Sequence, residues 1–139
     1  MSAVSSSSTQ LSKPITSQDP TYLFQTVKGS NEHMDYVAQV FKQQIVPLYG
    51  DQSRALEKIR ESRDRRCQLL YEGQIPVGIL VYKKTPNDEF RRYNIKNSLE
   101  VKSLFVIDPE KNSGRGIGSR LVEKVIDVAK RQLALSIAL

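Results

Sequence analysis

"SLFVIDPEKNSGRGIGSRLVEKV", residues 103–125, decides how the rest of the chain is read. It opens on four apolar residues, Leu104, Phe105, Val106 and Ile107, the pattern of a central strand covered on both faces. Asp108 and Pro109 break that run. Glycines then alternate at 114, 116 and 118, and a helical pattern follows through Leu121, Val122, Val125, Ile126, Val128/Ala129 and Leu133. Glycine costs about 0.5–1 kcal/mol relative to alanine inside regular structure, so three before a helix imply that something comes close to the backbone. A helix start offers unpaired N–H groups and a partial positive charge, which suits an anion.

The spacing separates the known anion loops. A P-loop needs a lysine followed by Ser or Thr after its last glycine, and none is present. A dinucleotide loop needs G-x-G-x-x-G; read from Gly114 its last position is Ser119, and read from Gly116 it is Leu121. The "DPEKNS" gap is also long for a tight dinucleotide turn.

Outward from the loop, "TYLFQTVKG" predicts a strand near 22–28. Ser30 or Asn31 can cap a helix carrying Met34, Val37, Val40/Phe41, Ile45 and Leu48 on one face, closed by Pro47 and Gly50. Asp51 can cap a second helix with Ala55, Leu56 and Ile59 inward and a charged remainder, "EKIRESRDRR". "CQLLYEGQIPVGILVYKK" reads as a hairpin turning at Glu72-Gly73-Gln74. "TPNDEFRRYNIKN", residues 85–97, is a polar connection, and "ALSIAL", residues 134–139, reads as the start of a further strand. The order β-α-α-β-β-β-α-β indicates an α/β domain with a mixed sheet, incomplete at that fifth strand. Residues 21–139 form the domain, and the Ser/Thr/Pro-rich residues 1–20 are a disordered leader.

The 139 residues suit one domain, with 39% hydrophobic and 26% charged residues. No apolar run approaches the roughly 20 residues that span a bilayer, and the N-terminus lacks the form of a secretory signal. One cysteine, Cys67, allows no internal disulfide and points to a reducing, cytoplasmic setting. One histidine, His33, leaves no His/Cys cluster for a metal. The net charge of +6 favours an anionic partner, which nucleotide cofactors, nucleic acids and acidic proteins all satisfy.

With Leu104-Phe105-Val106, Pro109, Gly116-Ile117-Gly118 and Leu121 in register, the stretch resembles the acetyl-CoA-binding motif of the GNAT superfamily of N-acetyltransferases. Its motif-level specificity covers about residues 98–131. The resemblance implies acetyl-CoA as co-substrate. Its pyrophosphate would lie on the backbone of Gly114, Arg115, Gly116, Ile117, Gly118 and Ser119, and its pantetheine arm would pair with Leu104, Phe105 and Val106 as an added strand. Arg115 and Arg120 would add charge. Two departures stand out: the family's Arg/Gln before the first motif glycine is Ser113 here, and the turn after Val106 is about two residues longer.

The same resemblance puts the general base at Glu100. Strict strand alternation would set Glu100, Lys102, Leu104 and Val106 on one face; Glu100 is equally readable as a solvated residue paired with Lys102. No general acid is identifiable. Tyr49 falls where relatives line the acceptor groove, and reads otherwise as a core or surface tyrosine. Cys67 alternates with Leu69 and Tyr71 as a packed strand face would, and His33 falls in a first helical turn. "RALEKIRESRDRR", residues 54–66, reads as an exposed, self-paired helix, or as a basic rim suited to an RNA-linked acceptor. Three functions remain open on these residues. They are an N-acetyltransferase acting on an amine of a small molecule, a protein or an aminoacyl-tRNA; a non-catalytic acetyl-CoA-binding module; and a basic nucleic-acid-binding domain. A strand edge at 134–139 would further invite a homodimer.

Overall fold

The computed structural model describes residues 21–84 and 99–138; the leader at 1–20 and the connection at 85–97 lie outside them. Strand β1 (Tyr22–Val27) leads to helix α1 (Glu32–Val40), which Asn31 caps by accepting the Met34 N–H at 2.9 Å. A π-helical turn (Phe41–Ile45) joins α1 to α2 (Val46–Tyr49). Proline at 47 has no N–H and its ring would crowd the carbonyl four residues back, so the chain widens by one residue there. The Val46 N–H accordingly reaches the Phe41 carbonyl. That widening turns Leu48 outward to 70% exposure, where the plain helical spacing had put it inside.

Helix α3 (Ser53–Glu61) starts after Asp51, whose Oδ1 accepts both the N–H and the hydroxyl of Ser53 at 3.1 and 2.6 Å. Strands β2 (Arg65–Glu72) and β3 (Ile75–Lys83) form the hairpin, turning through Gly73 at φ 62°. Strand β4 (Glu100–Val106) is followed by a short helix α4 (Pro109–Asn112) and the long helix α5 (Ile117–Ala138).

The strands lie in the order β1-β2-β3-β4, every neighbour antiparallel. The two middle strands bury both faces. On one, Cys67, Leu69, Ile79 and Val81 pack against Met34, Val37, Phe41, Ile59 and Ile107. On the other, Leu70, Val77, Leu80 and Tyr82 pack against Ile117 and Leu121 of α5. The result is a sheet between two helical layers.

Three expectations are corrected. Residues 134–138 continue α5 instead of opening a fifth strand, so neither the parallel pair of a mixed sheet nor a strand edge forms there. Alanine and leucine are strong helix formers, and nothing between 119 and 138 stops the helix. The apolar run at 104–107 is not a central strand: β4 lies at the margin of the described sheet, and Leu104 is 38% exposed. The charged run 54–66 is not one helix either. It leaves helical structure after Glu61, and Arg65, buried, begins β2.

Candidate active site

Chain pairing runs past the end of β4, where the Ile107 N–H donates to the Val77 carbonyl at 2.9 Å. Asp108 then turns the backbone at φ 47°, a left-handed conformation that costs a non-glycine residue about 1–2 kcal/mol. Gln44, presented by the π-helical turn, offsets this by holding Asp108 twice. Its Nε2 donates to Oδ1 at 3.0 Å, and its Oε1 accepts the Asp108 N–H at 2.8 Å. The turn winds into the short helix α4 before it reaches the glycines. Buried Asn112 closes it, donating from Nδ2 to the Ile107 carbonyl at 2.6 Å and accepting Arg115 Nη1 at 2.8 Å. Sequence reading missed both Gln44 and Asn112, since neither belongs to a motif and their partners are fixed only by the fold.

Gly114 and Gly116 have φ of 76° and 78°, and a Cβ placed on either would meet no atom within 4 Å. Backbone conformation, not crowding, therefore selects glycine at both, and the space above them is open. The first helical hydrogen bond of α5 runs from the Arg120 N–H to the Gly116 carbonyl at 3.1 Å. The N–H groups of Ile117, Gly118 and Ser119 precede it and have no helical acceptor. Ile117 and Leu121 anchor this end in the core. Gly78 on β3 lets them approach: a Cβ there would come within 3.1 Å of both Leu121 Cδ atoms and 3.3 Å of Ile117 Cγ2. A lone glycine inside a strand signals such an approach, though this one had not been singled out.

The charges beside the loop are already answered. Arg115 Nη2 pairs with Glu72 at the hairpin tip, and Glu72 also accepts the Tyr22 hydroxyl at 2.7 Å. Arg120 lies 3.7 Å from the centre of the Tyr22 ring. The Arg115 and Tyr22 hydrogen bonds hold the Glu72 carboxyl below its usual range, and the bond to Glu72 pushes the Tyr22 hydroxyl up.

Among the described strands β4 pairs with β3 alone, so the outer edge of residues 104–106 has no strand partner. A cleft of about 320 Å³ opens beside that edge, between residues 102–105 and Ile45, Tyr49 and Gln52. Tyr49, 74% exposed, thus stands across from β4. The pairing shifts at Lys102: Ser103 faces Val81, but Val101 already faces Tyr82 and Glu100 faces Lys83. This bulge breaks the alternation expected from parity. Glu100 shares the face of Ser103 and Phe105 instead of that of Leu104 and Val106. Its Oε2 accepts Lys102 Nζ at 2.8 Å, while Oε1 is buried without a hydrogen-bond partner among the described residues. The Lys102 hydrogen bond leads in holding the carboxyl below its usual range.

Cys67 lies in the core, where burial pushes its thiol up to about 12. His33 Nδ1 is 3.1 Å from the Tyr71 hydroxyl, at the edge of that same core. No described helix is long and apolar enough to cross a membrane.

No protein-family model matches the sequence, and no curated protein matches it. Among solved structures, the fold is similar to that of a ribosomal-protein-alanine N-acetyltransferase from Brucella melitensis biovar Abortus 2308. The TM-score is 0.61 at 14% identity, over 81% of this chain and 74% of that one. This similarity bears out, at the level of the fold, what the resemblance of the glycine loop implies.

Proposed function

We propose that the chain binds acetyl-CoA at the glycine loop and transfers the acetyl group to an amine. The observation that carries this is the open cradle at Gly114 and Gly116, at the start of α5 and beside a strand edge that is unpaired among the described strands. Both lie in a fold shared with an N-acetyltransferase. The backbone N–H groups of residues 114–119 would hold the pyrophosphate, and the outer edge of Leu104, Phe105 and Val106 would hold the pantetheine arm. When bound, acetyl-CoA supplies the acetyl group activated as a thioester. The cleft at Tyr49 and Gln52 would receive the amine, which in this reading belongs to a small molecule, a protein or an aminoacyl-tRNA in the cytoplasm.

Glu100 would take one proton of the incoming ammonium, so that the free amine forms the new C–N bond as the C–S bond breaks; the proton the nitrogen then sheds goes to the leaving sulfur, and coenzyme A departs as the thiol. Its lowered titration range keeps the carboxylate ionised at neutral pH but weakens it as a base for as long as Lys102 holds it. Lys102 would have to release it. That ion pair, with Glu100 turned from the face of Leu104 and Val106, favours a second reading in which the chain binds acetyl-CoA without turning it over.

Turnover of acetyl-CoA against an amine panel separates the two readings. In the catalytic case Glu100→Gln lowers kcat about 100-fold and leaves the KM for acetyl-CoA unchanged. Unchanged kcat removes Glu100 as the base. Saturable binding with no turnover of any amine supports the binding module.

A further inference from the structure

The ion pair between the hairpin tip and the glycine loop bears on how tightly the loop can hold an anion. Glu72 ends β2, and its side chain is only 14% exposed. Cross-strand pairing sets it opposite Tyr22, whose hydroxyl donates to Oε2 at 2.7 Å. Arg115 Nη2 donates to the same oxygen. These two hydrogen bonds, that of Arg115 first, hold the carboxyl below its usual range, so it is ionised at neutral pH.

Arg115 is held differently at its two nitrogens. Nη1 donates at 2.8 Å to Oδ1 of buried Asn112, which itself donates to the Ile107 carbonyl at 2.6 Å. That bond lies within the turn and the loop. Nη2 instead reaches across to the hairpin, and the Arg115 side chain is 39% exposed. A guanidinium anchored at one nitrogen keeps its place when the acceptor at the other is exchanged. A phosphate oxygen suits that exchange, since it accepts from an arginine fork as well as a carboxylate oxygen does. Arg120, over the Tyr22 ring at 3.7 Å, adds a second positive charge that also acts on Glu72.

We propose that Glu72 occupies, on Arg115, the place of a cofactor phosphate: it holds the guanidinium on the hairpin tip and so lowers the affinity of the loop for acetyl-CoA. The inference rests on the reading of the loop as an acetyl-CoA site and names the residue that sets its affinity. Glu72 touches no ligand in this account. It is a positioning residue, acting through Arg115, because the ion pair must open before Nη2 can serve a phosphate oxygen. A merely structural role predicts the reverse, since loosening the hairpin from the loop would weaken binding. Plain repulsion between the carboxylate and a pyrophosphate would act without Arg115.

The test is calorimetric titration with acetyl-CoA of the full 139-residue chain, Glu72→Gln, Arg115→Gln and the double variant. Glutamine keeps an oxygen for Tyr22 and Arg115 but carries no charge, and thermal melting checks that each variant folds. Glu72→Gln is expected to bind about fivefold more tightly, and Arg115→Gln more weakly. On the Arg115→Gln background the gain from Glu72→Gln should shrink or vanish. Binding by Glu72→Gln alone, with none by the unaltered chain, supports the proposal as well. The inference alone is overturned if the unaltered chain binds acetyl-CoA and Glu72→Gln binds it equally or less tightly. It is overturned too if the gain persists undiminished without Arg115. If neither the unaltered chain nor Glu72→Gln binds, the reading of the loop fails and this inference falls with it.

Discussion

At Gly116 the backbone has φ 78°, so an alanine there is strained by about 1–2 kcal/mol even though nothing crowds its Cβ. Gly118 is helical, and its Cβ would rest in ordinary contact 4.0 Å from Val106 Cγ2. Gly116→Ala should therefore lower the melting temperature, while Gly118→Ala should leave it unchanged or raise it, since alanine favours the helix. If the amides there hold a pyrophosphate, both variants bind acetyl-CoA less tightly; calorimetry on each separates loss of fold from loss of cradle. Glu72 makes a second residue-scale prediction. Its folded carboxyl titrates below the ordinary 4.5, so its contribution to stability is complete above that pH and is lost as pH falls through the lower folded value. The melting temperature should fall more steeply below pH 4.5 in the unaltered chain than in Glu72→Gln. Equal slopes would mean that the Arg115–Glu72 pair contributes nothing to the fold.

Helix α5 sits on β3 because Gly78 leaves room for Leu121 and Ile117. Gly78→Ala should destabilise the fold by about 1–3 kcal/mol, because a fully buried leucine must yield a few tenths of an ångström. Leu121→Ala alone should cost about 2–5 kcal/mol. In the double variant the new methyl enters the space the leucine left, so denaturant melts should show a combined cost below the sum. Elements of this kind were legible where period and punctuation agreed. The Asn31 cap, the Gly73 turn and the inward face of Ala55, Leu56 and Ile59 all follow from local signals. Short apolar runs were not legible, because strand and helix are indistinguishable over six residues; 134–138 went with the helix already under way. Strict alternation placed Glu100 wrongly because the bulge at Lys102 arises from pairing with β3, which one strand's sequence does not contain.

For the whole molecule, the glycine loop was the most legible feature, since positive φ, an open backbone and a helix start each need particular residue types in order. What holds the loop, Gln44 and Asn112, comes from residues far from it in sequence or outside the motif. The sheet gathers the site: β4 brings its outer edge, unpaired among the described strands, to the first turn of α5 at Val106, and the cleft at Tyr49 lies along residues 102–105. A chain built this way should respond to acetyl-CoA along one line, from the loop down the outer edge of β4. The most direct test is an amide NMR titration of the full chain with acetyl-CoA. The expected result is a saturable one-to-one response concentrated at residues 114–119 and 104–106. A titration that leaves those amides unmoved would contradict the account, whatever else in the molecule responds.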